Sequence, residues 1–292
     1  MKYYHCQYQQ LKTRSLTRVI DKSDSEAARP SNPVILTSTS NHLAEITLNR
    51  PDRLNSFNSS MHKLLYSELA ALEQSEDCRA ILLTGTGRAF CTGQDLNDRD
   101  PRKLDGPPDL EATLTEQFNP LVKKLRGFAK PVICAVNGVA AGAGANLALA
   151  CDVVFAAESA KFIQSFAKVG LLPDAGGSWM LPRLIGEARA KAVAMSGLAV
   201  TARQAANWGM IWQSCDDDAL MQQTREFALA LANGPTRGIA ATKHAIQQSS
   251  DASLEQHLTR EAQWQGELGR SHDYREGVLA FLEKRTPEFT GN

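Results

Sequence analysis

The chain has 292 residues, 32 Lys+Arg against 32 Asp+Glu, a formal net charge of zero and 43% hydrophobic residues. That length and apolar content suit one large α/β domain or two smaller ones with a sizeable core. The balanced charge argues against general nucleic-acid binding, which needs a basic surface, and no apolar run approaches the roughly 20 residues that span a bilayer. The six cysteines are scattered without a CxxC pair, a pattern expected of reduced, mostly buried thiols in a cytoplasmic protein.

Residues 1–33 are polar and lack an apolar signal core. Asp21, Asp24 and Glu26 weaken a transit-peptide reading, so a disordered extension or a misassigned start is expected. Order begins at PVILTSTSNHLAEITLNR, where Ala44, Ile46 and Leu48 alternate with polar neighbours as in a strand. RPDRLNSFN reads as a loop. SSMHKLLYSELAALEQ then places Met61, Leu64, Leu65, Leu69 and Leu72 at helical spacing behind a serine cap.

RAILLTG reads as a buried strand, residues 110–128 as helix, KPVICAVNG as a second strand, AGANLALAC as a small-residue helix and DVVFAAE as a third strand. Strands alternating with helices predict crossover connections and a mainly parallel sheet. Beyond Asp174 the pattern is helical apart from a short strand in GMIWQSC. Residues 102–111 are the most loop-like internal segment, a candidate cover for a site. No internal sequence repeat is evident.

Several chemistries lack their motifs. GAGANL lacks the third glycine of a dinucleotide fingerprint; GxxxxGK[ST], HExxH and GxSxG do not occur, and the six histidines are dispersed. Two small-residue turns at strand ends remain, RAFCTGQDL and NGVAAGAGANLALACD. The second leaves backbone amides unshielded at a helix start, which suits an anion or developing oxyanion, or simply allows close packing. Asp174, between Pro173 and Ala175 in KVGLLPDAGGSWMLPRL, reads equally as a turn acid or a helix N-cap.

Five segments in order, ITLNRPDRLNSFN, AFCTGQDL, KPVICAVNGVAAGAGANLALACD, GLLPDAGGSW and DYREGVLAFLEKRTPEF, resemble the enoyl-CoA hydratase/isomerase (crotonase) superfamily. The resemblance runs from about residue 34 to the C-terminus. It implies an α/β fold with a repeated ββα core over residues 34–199 and a C-terminal helical oligomerisation region over 200–292. It also implies a homotrimer or homohexamer acting on acyl-CoA thioesters. Coenzyme A arrives with the substrate, and no metal, nicotinamide or flavin is implied.

Carried onto this sequence, the resemblance makes the backbone amides of Gln94 and Ala143 the two donors to the thioester oxygen. The two glutamates of the hydratases are replaced by Asn146 and Phe166, which disfavours water addition. Asp174 takes a position used by isomerases as sole acid or base, and an apolar setting would help it hold a proton. Coenzyme A is expected along Arg50 and Leu54 and along Thr92, Gly93 and Asp95, with Phe281 and Lys284 reaching its nucleotide end from a neighbouring subunit. The expected reaction is rearrangement of ring-1,2-epoxyphenylacetyl-CoA to oxepin-CoA. The alternatives are a 3,4- to 2,3-enoyl-CoA isomerisation, a dehalogenation or hydrolysis through Asp174, and hydration.

Overall fold

The computed structural model describes residues 33–292. Residues 1–32, with Cys6 and the expected extension, lie outside the described residues. Ten strands and ten α-helices follow one another as β1 (Ile35–Ser40), β2 (Leu43–Leu48), α1 (Ser59–Gln74), β3 (Ala80–Gly85), β4 (Ala89–Cys91), α2 (Leu110–Thr113), α3 (Asn119–Gly127), β5 (Val132–Val136), β6 (Val139–Ala141), α4 (Ala143–Ala150), β7 (Val153–Ala157) and β8 (Lys161–Ile163). The second part comprises α5 (Gly177–Ser196), β9 (Ala199–Thr201), α6 (Ala202–Asn207), β10 (Gln213–Cys215), α7 (Leu220–Ala232), α8 (Thr236–Gln248), α9 (Leu254–Leu268) and α10 (His272–Glu283). A π-helical turn, Leu114–Phe118, joins α2 to α3.

The strands form a six-stranded sheet ordered β1-β2-β3-β5-β7-β10 and a four-stranded sheet ordered β4-β6-β8-β9. Each of the pairs β3/β4, β5/β6 and β7/β8 sends one strand to each sheet before the chain turns into helix. This is the repeated ββα core, present in structure although no sequence repeat marks it. β5 is buried along its whole length, as a central parallel strand must be when both faces are covered.

The expected stripe on α1 holds at Met61, Leu65, Leu69 and Leu72, but Leu64 is 41% exposed. The helix is capped by Asn58, whose side chain accepts from the Met61 amide, and not by a serine. The boundary expected at 199/200 also needs correction. β9 and β10 complete the two sheets and α7 packs across β2, β3, β5 and β7, so the core continues to about residue 232. Residues 33–292 form one compact unit.

α8 is tied to this core by a buried ion pair, Lys243 Nζ to Asp152 Oδ2 at 2.8 Å. The five cysteines among the described residues are all free and buried. Among those residues no helix is long and apolar enough to cross a membrane.

Candidate active site

The small sheet creates the site by ending its strands together. β4 pairs parallel with β6, and β6 parallel with β8. Their C-terminal ends therefore deliver residues 92–94, 142–143 and 164–166 to one edge. The first two turns nearly touch. A Cβ on Gly93, whose φ is +83°, would lie 3.1 Å from the Ala143 amide nitrogen. Only glycine suits both that conformation and that approach.

The amides of Gln94 and Ala143 are left free for different reasons. Phe57 and Gln94 form a parallel bridge, in which the Phe57 amide donates to Gly93 and the Asp95 amide donates to Phe57. Gln94 itself thus turns its N–H away from that pairing. Ala143 opens α4, where first-turn amides have no intrahelical acceptor. Among the described residues neither amide finds an acceptor within the chain.

The loop before α1 wraps the first turn. Arg50 donates to Asp95 Oδ2 at 2.9 Å and to the Ser56 carbonyl. Thr92 donates from its amide to the Leu54 carbonyl at 3.2 Å. Asn55, fully buried, donates to the carbonyls of Thr86 and Ala89 and accepts from the Arg50 amide. Asp95 also accepts from the amide and side chain of Asn97. Burial opposes its ionisation, but the bonds from Asn97 and Arg50 and the Arg50 charge together hold its carboxyl below the usual range. Asp95 is thus an internal brace.

Behind Gln94, Phe57 packs on His62 and Phe118 with ring centroids 4.6 and 5.9 Å away. Burial lowers the His62 pKa to about 4, so its ring is neutral.

Asp174 has the opposite surroundings. It sits in a tight turn with Ala175 at φ 47° and Gly176 at φ 80°. Its main-chain carbonyl accepts from the Gly177 amide at 2.8 Å and from Asn146 Nδ2 at 2.8 Å. It does not cap α5, whose N-cap is Gly176 with no side-chain cap bond. Oδ1 is buried without a hydrogen-bond partner. Burial pushes the carboxyl up to about 6, partly opposed by its own backbone amide, and no neighbouring charge contributes.

Asn146 is fully buried, and Phe166 is buried across the Gly142 turn. Ten of the residues singled out by sequence thus meet in one region: Arg50, Leu54, Thr92, Gly93, Gln94, Asp95, Ala143, Asn146, Phe166 and Asp174. Phe281 and Lys284 stand apart, exposed on the last turn of α10 and just after it. Sequence reasoning missed Gln164, which is buried and donates to Asn146 Oδ1 at 2.8 Å. Its signal was a polar residue between Ile163 and Phe166 at a strand end.

Residues 38–292 match the family described as enoyl-CoA hydratase/isomerase. The chain belongs to that family. It is 51% identical to the 1,2-epoxyphenylacetyl-CoA isomerase of Escherichia coli (strain K12), covering 88% of this chain and 98% of that protein. It is 37% identical to the 2,3-dehydroadipyl-CoA hydratase of the same organism, covering 84% and 94%. Enoyl-CoA hydratase from Bacillus anthracis, a solved structure, superposes with a TM-score of 0.82 at 30% identity, covering 89% of this chain and 100% of that one. The protein is therefore a crotonase-fold enzyme of the acyl-CoA isomerase/hydratase class.

Proposed function

We propose that this enzyme isomerises ring-1,2-epoxyphenylacetyl-CoA to oxepin-CoA, using the Gln94 and Ala143 amides to hold the thioester oxygen and Asp174 to handle the proton. Two converging N–H donors lower the cost of negative charge on that oxygen, and losing one such donor typically costs about 3–4 kcal/mol. A carboxyl whose pKa is about 6 is mostly carboxylate at neutral pH yet accepts a proton readily. Widening the ring to seven members keeps both epoxide C–O bonds and breaks the ring C1–C2 bond. Asp174 as carboxylate takes a proton from the carbon beside the thioester, and the freed electrons are held on the thioester oxygen by the two amides. The protonated Asp174 then returns that proton to the ring. Coenzyme A lies along Arg50, Leu54 and the 92–95 turn, and enters only as part of the substrate. The enzyme works in the cytoplasm as a trimer or hexamer, without a metal, nicotinamide or flavin. In that assembly the exposed Phe281 and Lys284 reach the neighbouring subunit's nucleotide.

The observation that carries this reading is the Asp174 carboxyl, its buried Oδ1 without a partner, beside the paired turns, with an amide at 146 and an aromatic at 166. A hydratase needs two carboxylates around its water; this site offers one acid and an apolar wall. Similarity to the epoxyphenylacetyl-CoA isomerase supports the choice of acyl group.

A second reading, 3,4- to 2,3-enoyl-CoA isomerisation, is supported by the same lone acid. Asp174 would remove the C2 proton, the electrons would move onto the thioester oxygen held by the two amides, and the proton would return to C4. Assays of the wild type with enzymatically generated phenylacetyl-CoA epoxide and with a 3,4-enoyl-CoA decide between the readings. The first is supported if kcat/KM is higher for the epoxide. A preference for the enoyl-CoA selects the second, and activity with neither overturns both.

A further inference from the structure

Hydrogen bonds join three segments around the acid. Asn146 lies three residues beyond Ala143 in α4 and is wholly buried. Its Nδ2 donates to the Asp174 carbonyl and its Oδ1 accepts from Gln164 Nε2, both at 2.8 Å. The bond from Gln164 fixes which way the Asn146 amide points, because only its oxygen can accept that donor. Gln164 is itself buried, at the end of β8. The chain leaves room for this arrangement: a Cβ on Gly177 would overlap the Asn146 side chain.

We propose that Asn146 and Gln164 are positioning residues that index Asp174 against the Ala143 amide, so that acid and oxyanion donor are held at one separation. This rests on the reading of Asp174 as the proton carrier. It also accounts for an amide at a position where the hydratases have an acid. A glutamate or aspartate carboxylate cannot donate to the Asp174 carbonyl, whereas an amide donates on one side and accepts on the other. In this proposal Asn146 and Gln164 take no part in the proton transfer itself. They act through the loop that carries Asp174, whose other tether is the Gly177 amide.

The test uses the full chain with Asn146→Leu, Gln164→Met and the double variant, each checked for folding by circular dichroism. Steady-state kinetics on the preferred thioester are measured from about pH 5 to about pH 9, spanning the Asp174 titration. Misplacing a catalytic group by an ångström costs about 10²-fold, so Asn146→Leu is expected to lower kcat by about 10- to 100-fold with little change in KM. Gln164→Met should lose less, and the double variant no more than Asn146→Leu, because the two act through one bond chain. A loosened loop admits water to Asp174, so the acidic limb of the profile should move toward the ordinary carboxylate range.

A purely structural role would lower the melting temperature without moving that limb. Two folded variants with wild-type kcat and an unmoved limb overturn the proposal. Should Asn146→Leu fail to fold, Gln164→Met decides by the same limb. Carbon-13 NMR titration of the Asp174 carboxyl in wild type and variants separates the two ideas. If Asp174→Asn keeps its turnover, the catalytic reading fails. If that variant is inactive but the carboxyl titrates identically with and without the Asn146–Gln164 link, only the positioning proposal fails.

Discussion

Asp95 and Asp174 are the same residue type, both withdrawn from water, both beside a turn at the edge of the small sheet, and their environments drive them in opposite directions. Asp95 receives Arg50 and Asn97 on its two oxygens, so its negative charge is compensated where it forms. Asp174 has a buried oxygen with no partner, so its charge is resisted. One aspartate braces the loop around the first amide turn; the other stays able to take and release a proton. Burial alone does not make an acid reactive: withheld hydrogen bonds do.

The largest effect should come from Asp174→Asn, which removes the proton carrier with almost no change in shape. General acid–base catalysis contributes about 10²- to 10⁴-fold, and kcat should fall by that much while binding of a CoA thioester persists, measurable by calorimetry. At Asp95 the pattern should reverse. Asp95→Ala leaves the Arg50 guanidinium half-withdrawn from water without its partner, and breaking a buried pair costs about 3–5 kcal/mol. Because Arg50 keeps some solvent contact, the lower end is expected in urea unfolding. Because both residues lie along the proposed coenzyme A path, KM for the thioester should rise while kcat falls far less than in Asp174→Asn.

pH sharpens the contrast. The Asp174 carboxyl binds its proton more tightly folded than unfolded, so stability falls as pH rises from about 4 to about 6. Asp174→Asn escapes that loss and should be about 1–3 kcal/mol more stable than wild type at pH 7–8, the gap closing below about pH 4. Asp95 has the opposite sign. Its lowered pKa gives stability that is present above the ordinary carboxylate pKa and lost as pH falls through the lower folded value. Chemical denaturation across pH should show the two variants diverging from wild type in separate windows. Parallel curves would erase the distinction between brace and proton carrier.

Much of this was legible in the sequence. β2 and α1 follow from periodicity and β3, β5 and β7 from their apolar runs, and the apolar setting that the resemblance implied for Asp174 agrees with its raised pKa. The small sheet was not legible, because β4, β6, β8 and β9 have three residues each, too few to display a period. Two of its strand ends showed in the sequence as small-residue turns, and the family resemblance gave those turns their roles. Leu64 misled because its helical spacing extends past the face that α1 buries. Gln164 stayed hidden because its partner lies across two segments, and a lone polar residue at a strand end carries no pattern. The division at 199/200 failed because helical content was taken as a boundary while β9, β10 and α7 still complete the core.

The smallest effect is expected far from both aspartates. Phe281 is 82% exposed on α10, and α9 buries no residue of its own, whereas α4 is buried throughout. An exposed side chain contributes little to the fold of its own chain, so Phe281→Ser should change unfolding free energy by no more than about 0.5 kcal/mol. If the residue serves a neighbouring subunit's coenzyme A, the same substitution should raise KM for the thioester several-fold and leave kcat nearly unchanged, since its contact would be the same in ground and transition states. Unchanged KM would make Phe281 plain surface. A large drop in kcat would mean that the terminal helix shapes the chemistry itself.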